Sequence, residues 1–149
     1  MKSKLSFRRQ EKPSSCAVAC LRMILSFYGI EEDEKTLRNR CGTTELGTYA
    51  QNIAACAQDF GFQASAASLD VARLKDLLRR GIFPIVYVNV FPLEQIFCTH
   101  AMVIEHITES EVLVLDPMDG RRLLSIKKFQ KAWEMTGHLA IVIFKDITT

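Results

Sequence analysis

The sequence has no apolar run approaching the roughly 18 residues that a membrane-spanning helix requires. Its opening stretch, MKSKLSFRRQEKPSS, is basic without an apolar core, which is not the pattern of a secretory signal peptide. Charge of one sign is also missing. Nineteen basic residues stand against 17 acidic ones, a formal charge of +2, too balanced for a dedicated nucleic-acid binder with its concentrated basic field. The five cysteines contain no C-x-x-C pair. Their odd number, with no export signal, fits reduced thiols in a cytoplasmic setting. Internal repeats, low-complexity stretches and linkers are absent too, so a single domain over residues 1–149 is expected.

What remains is an ordinary globular composition, 48% hydrophobic and 24% charged. Short basic clusters (Arg8–Arg9, Arg79–Arg80, Arg121–Arg122, Lys127–Lys128) are scattered along the chain and read as solvated surface. Of the cysteines, Cys20, Cys41, Cys56 and Cys98 read as small buried hydrophobes.

The first half carries helical periodicity. From Cys16 to Tyr28 the apolar positions 17, 21, 24, 25 and 28 form one face, with a serine N-cap before it and Gly29 at its close. Further helices fit Asp33–Arg40, Thr48–Phe60 and Leu69–Arg80, the last two ended by Gly61 and Gly81. The second half reads as strands: Phe83–Val90, then Ala101–Ile107 and Glu111–Leu115 joined as a hairpin, and finally Leu139–Phe144. A turn at Pro117–Gly120 and a helix over Lys127–Trp133 lie between. Helices first and strands later predict an α+β domain whose two parts meet at a cleft.

Cys16 opens the first long helix, where unpaired N–H groups and the positive end of the helix dipole stabilise a thiolate. The bland alternative is a core cysteine under the helix start. A base must come from His100, His106 or His138. His100 begins a strand after the loop Phe91–Thr99, a position that is held yet reachable. His106 shares its strand and parity and is expected at the far end, and His138 has no evident partner. A metal site from Cys98, His100 and His106 lacks a fourth ligand. Asp116, fixed by Pro117, ends the neighbouring strand and can orient the imidazole, with Asn89 as a competitor and a turn-starting aspartate as the plain reading. Gln10, in the loop entering the helix, is a candidate oxyanion donor beside the Cys16 backbone N–H, although in isolation it reads as a loop residue.

Together, Gln10-Glu-Lys-Pro-Ser-Ser-Cys16 and the helix to Gly29, His100-Ala-Met-Val-Ile, Leu115-Asp116-Pro117 with Gly120, Phe129 and Trp133-x-x-x-Gly137 resemble a known family. This is the bacteriocin-processing peptidase domain, the papain-like module of peptidase-containing ABC transporters. The likeness covers nearly the whole chain. It implies a papain-like α+β fold with a helical N-terminal half packed on a C-terminal antiparallel sheet. It also implies Cys16 as nucleophile, His100 as base and acid, Asp116 as orienter and Gln10 as oxyanion donor, with no cofactor or metal. The implied partner is a precursor peptide, cut after a double glycine and docked through an amphipathic leader helix.

Two positions depart from the family pattern, where an acidic residue often precedes the cysteine and a glycine follows it. Here Ser15 and Ala17 stand there. Ala17 favours the helix, and loss of the acidic neighbour favours a thiolate, so activity is expected to survive. The chain is expected to be either a stand-alone peptidase or part of a longer transporter, monomeric and cytoplasmic. Two other functions fit the same residues: a binding module that holds a leader without cutting it, and a papain-like peptidase or acyltransferase with another substrate.

Overall fold

The computed structural model of the protein describes residues 5–145. Three helices come first: α1 (Cys16–Phe27), α2 (Glu34–Cys41) and α3 (Ala50–Asp59). The Asp33 carboxylate accepts a hydrogen bond from the Thr36 N–H and caps α2, and Gly42, at φ 72°, takes the left-handed conformation that ends it. Strand β1 (Gln63–Ser68) and helix α4 (Val71–Arg79) follow, then β2 (Ile85–Asn89), the single-turn α5 (Phe91–Glu94), β3 (Thr99–Ile107), β4 (Glu111–Asp116), β5 (Gly120–Ser125), α6 (Ile126–Glu134) and β6 (Leu139–Phe144).

The strands form one six-stranded sheet in the order β1-β6-β2-β3-β4-β5, every neighbouring pair antiparallel. Helices cover both faces. Leu21, Ile24 and Leu25 of α1, Leu37 of α2 and Ile53 of α3 pack with Ile85, Ala101, Val103 and Ile141 on one side. Leu74 of α4 and Phe129 and Trp133 of α6 pack with Val86, Met102, Ile104 and Val114 on the other. Alternate residues of β3 therefore enter opposite cores, which is why the strand reads as a continuous apolar run rather than as an alternation.

Two strands escaped the sequence reading, and both are edges of the sheet. In β1 the sequence Gln-Ala-Ser-Ala-Ala-Ser is small and polar, and in β5 the run Gly-Arg-Arg-Leu-Leu-Ser is largely exposed. An edge strand has a neighbour on one side only and needs little apolar surface, so its composition carries a weak signal. Because β1 comes before α4, the division into a helical first half and a stranded second half is not strict. Residues Phe91–Glu94, expected within a loop, form α5. The parity of β3 also fails to extend to His106: the register shifts between Ile104 and His106, and His106 is exposed beyond the irregularity.

The chain entering α1 is anchored at several points. The Gln10 N–H donates to the Pro117 carbonyl at 2.9 Å, and the Arg9 guanidinium donates to the Met118 carbonyl. Glu34, fully buried, accepts the Glu11 N–H at 3.0 and 3.2 Å and pairs with Arg38. A buried carboxylate with these partners is costly to leave half satisfied. Glu34→Ala should deprive Arg38 of its buried partner, leaving only Glu11 at 3.5 Å, and take the acceptor from the Glu11 N–H, lowering stability by about 3 kcal/mol. Glu34→Gln, which keeps the shape and an acceptor, should cost less, as urea unfolding of the two variants will show.

Candidate active site

Ser15 precedes α1, but its side chain does not cap the helix. Its hydroxyl instead accepts from the Lys12 N–H at 2.9 Å and donates to the Lys12 carbonyl at 3.0 Å, closing the turn before the helix. The first-turn N–H groups, at the helix end that Cys16 opens, therefore receive no cap from Ser15. The expected serine cap is thus corrected: Ser15 shapes the approach and leaves the helix end open.

His100 lies in the second position of β3 and is opposite Val88. Its Nε2 is 2.7 Å from Asp116 Oδ1, and its ring lines the same cleft as Cys16, near enough for the sulfur to influence its charge. With Nε2 engaged by the carboxylate, Nδ1 is the nitrogen left for sulfur. Val103 pairs with Leu115, so continuing that register makes His100 and Asp116 diagonal neighbours on adjacent strands.

Asp116 is 1% exposed, and three donors satisfy its carboxylate. Oδ1 accepts from His100 and from the Met118 N–H at 2.9 Å, and Oδ2 accepts from Arg122 at 2.8 Å. Burial alone would raise its pKa, but hydrogen bonds and charge from His100, the Met118 N–H and Arg122 overcome this and lower it to about 2. For His100, burial likewise opposes the charged form. The Asp116 and Cys16 partners outweigh it and push the ring up to about 10. A raised value means that the imidazolium persists through neutrality and is lost only as pH rises towards 10. The ring can therefore carry a positive charge in the cleft that Cys16 also lines.

Cys20, one turn further along α1, is buried, and burial followed by the charges at Cys16 and Asp116 raises its pKa well above the ordinary thiol value. It stays a core thiol, as do buried Cys41 and Cys56. Cys98 differs from expectation: it is exposed and lines the same cleft as Cys16. That cleft has a volume of about 320 Å³. Cys16, His100 and Asp116 line it, with Pro13, Ser14 and Glu45–Gly47 along one stretch and Val90, Glu94 and Ile96 along another.

The remaining candidates lie elsewhere. Asn89 accepts the Phe91 N–H at 2.9 Å and starts α5 instead of orienting His100. His106 borders a shallow depression with Lys75 and Arg79, and the His138 ring meets the edge of Trp133 with centroids 4.9 Å apart. Among the described residues no group of three or more His, Cys, Asp or Glu is arranged to hold a metal ion. Gln10 does not line the cleft. Its Nε2 donates to the Lys12 and Pro13 carbonyls at 2.8 and 3.3 Å, and its Oε1 is buried without a partner.

Arg122 is what the sequence reading missed. Placed among solvated basic clusters, it instead contacts the carboxylate behind His100, while Arg121 pairs with Glu105 at 2.7 Å. A signal existed: a tight hairpin pairing Asp116 with Gly120 sets residue 122 diagonal to residue 116 on the same face.

A cysteine at a helix head, beside a carboxylate-held imidazole on an antiparallel sheet, fits the papain-like class of fold. Comparison with known proteins gives the family: the Peptidase C39 family model matches residues 4–145, and the chain belongs to that family. It is 31% identical over 132 residues to the Lactococcin-G-processing and transport ATP-binding protein LagD of Lactococcus lactis subsp. lactis, covering 87% of this chain. It is 30% identical over 138 residues to the Pediocin PA-1 transport/processing ATP-binding protein PedD of Pediococcus acidilactici, covering 92% of this chain. The chain spans only 18% of the length of each. Its fold matches a double glycine motif protease from an AMS/PCAT transporter, solved in complex with the leader peptide (TM-score 0.79, 20% identity, 96% of this chain and 93% of that one). It also matches the peptidase domain of Streptococcus ComA, a bi-functional ABC transporter (TM-score 0.80, 24% identity, 96% and 100%).

The geometry generates a pH prediction. Iodoacetamide at pH 6 should alkylate Cys16 before the other four cysteines, and Asp116→Asn should slow that labelling because a neutral amide supports the imidazolium less well. The same substitution should bring the loss of the His100 imidazolium, near pH 10 in the wild type, to lower pH, which NMR titration of the ring checks. Mass-spectrometric mapping of label against pH checks the labelling, and equal labelling of all five cysteines would contradict a privileged Cys16.

Proposed function

We propose that this chain is a cysteine peptidase that removes the leader of a precursor peptide by cutting after a double glycine. The observation that carries the reading is that Cys16 lines one cleft with His100 and Asp116, the last two hydrogen-bonded at 2.7 Å, in a chain of the Peptidase C39 family. The names of its relatives, which describe processing and transport, and a structural neighbour described as a double glycine motif protease support the substrate class.

In the proposed reaction the Cys16 thiolate attacks the carbonyl carbon of the second glycine. The Cys16 backbone N–H and the Gln10 carboxamide stabilise the resulting oxyanion. The His100 imidazolium protonates the departing amine, leaving a thioester on Cys16. The now neutral ring then takes a proton from water, which attacks the thioester and frees the leader's carboxyl end. Asp116 keeps the ring in the tautomer that turns Nδ1 to sulfur. For Gln10 to serve as donor, its carboxamide must give up a bond to the Lys12 or Pro13 carbonyl and turn towards the cleft.

Exposed Leu46 and Ile96 border the cleft, with exposed Tyr49 and Phe97 nearby in sequence. They supply apolar surface for the spaced anchors of an amphipathic leader helix. The reaction would take place at the cytoplasmic face of a membrane, with transporter and ATPase portions joined in the same chain or acting in trans.

Incubation with a panel of precursors differing at the cut site, followed by mass spectrometry, tests the proposal. A product ending in Gly-Gly is expected from the wild type and none from Cys16→Ala. Binding without product would make the chain a leader-holding module, and cuts elsewhere would assign another substrate. Gln10→Ala should reduce turnover about 10²–10³-fold, and an unchanged rate would remove Gln10 from the oxyanion site.

A further inference from the structure

The strongest unassigned feature is a single guanidinium among three carboxylates. Arg122 NH1 donates to Asp116 Oδ2 at 2.8 Å, Glu94 Oε2 at 3.2 Å and Asp119 Oδ2 at 3.4 Å. Glu94 and Asp119 line the cleft, while the Asp116 side chain is only 2% exposed. Arg122 itself is a quarter exposed, at 25%, so its charge remains partly hydrated.

We infer that Arg122 is a positioning residue for the Asp116–His100 pair, fixing the carboxylate through the oxygen that the imidazole does not use. This inference rests on the reading of Asp116 as the orienter of His100. Oδ1 already serves both His100 and the Met118 N–H, so rotation of the carboxylate would exchange the two oxygens and break both bonds. Arg122 opposes that rotation. It is the donor found on Oδ2, and a buried carboxylate oxygen without a donor bears its full desolvation cost. The guanidinium also ties Asp116 to Glu94 of α5, so one side chain connects the sheet end beneath the imidazole with the wall of the cleft.

Register produces this arrangement. Val114 pairs with Arg122 and Asp116 with Gly120, which sets Arg122 diagonal to Asp116 just as Asp116 is diagonal to His100. Imidazole, carboxylate and guanidinium thus form a slanted row over β3, β4 and β5. Lysine at position 122 could supply charge to Oδ2, but its shorter-range, differently shaped ammonium head would not reproduce the geometry by which one guanidinium nitrogen meets three carboxylates.

The test compares Arg122→Gln, Arg122→Lys, Asp116→Asn and the Arg122→Gln/Asp116→Asn double variant in turnover of a double-glycine precursor across pH. Arg122→Gln should lower kcat about 10- to 100-fold, the usual effect of losing an outer-shell partner. KM should be unchanged, and the alkaline limb should move down towards that of Asp116→Asn. Arg122→Lys should recover part of kcat. In the double variant the glutamine should add nothing to the Asp116→Asn loss, because both act through one carboxylate. Losses that multiply, or an unmoved limb in Arg122→Gln with its melting temperature retained, would overturn the inference. Should Arg122→Gln not fold, Arg122→Lys decides it: wild-type kcat and limb would overturn the inference. If the wild type cuts no double-glycine precursor, the substrate reading fails on its own. The rate of Cys16 alkylation at pH 6 then decides the role of Arg122, with slowing expected in Arg122→Gln and an unchanged rate overturning the inference.

Discussion

The site depends on one buried carboxylate. Asp116 is withdrawn from water at a strand end, where an ionised group is tolerated only if its oxygens are satisfied from within. Its partners supply what water would: the imidazole of His100, the Met118 N–H and the Arg122 guanidinium. The carboxylate is ionised because it is surrounded by donors, and the ring is charged because the carboxylate is ionised. Remove either condition and the preference of His100 for the imidazolium weakens.

The second requirement is that the head of α1 reach that strand end. The main chain before the helix is bonded to the segment directly after Asp116, through Gln10 and Pro117 and through Arg9 and Met118. Glu34 holds the same stretch from the helical side. Cys16 and His100 come from parts of the chain more than eighty residues apart, and these bonds hold the two segments together while all five cysteines stay free.

Much of this was legible in the residues. Helices α1 to α4 declared themselves through apolar spacing and through Gly29, Gly42, Gly61 and Gly81, all with positive φ. The buried strands β2, β3, β4 and β6 stood out as β-branched runs. Cys16, His100 and Asp116, singled out in the sequence, come together, whereas Gln10 is turned towards its own loop. What escaped was information carried by pairing rather than by composition. Edge strands β1 and β5 bury too little to announce themselves, and the irregularity after Ile104 breaks a parity that the sequence extends through His106. Arg122 looks like any surface arginine until the hairpin register is known. Ser15 has the right side chain for a helix cap and spends it on Lys12 instead.

The slanted row across β3, β4 and β5 makes strand alignment itself a condition of chemical competence. Side chains in a strand alternate between faces, so a slip of one residue in β4 would send Asp116 to the opposite side of the sheet. Apolar residues are abundant on both sides of these strands, and such a misaligned hairpin could still collapse into a compact body. It would be folded in outline yet lack the line from His100 through Asp116 to Arg122. The apolar cores alone tolerate such an error, but a polar line that must join residue by residue does not.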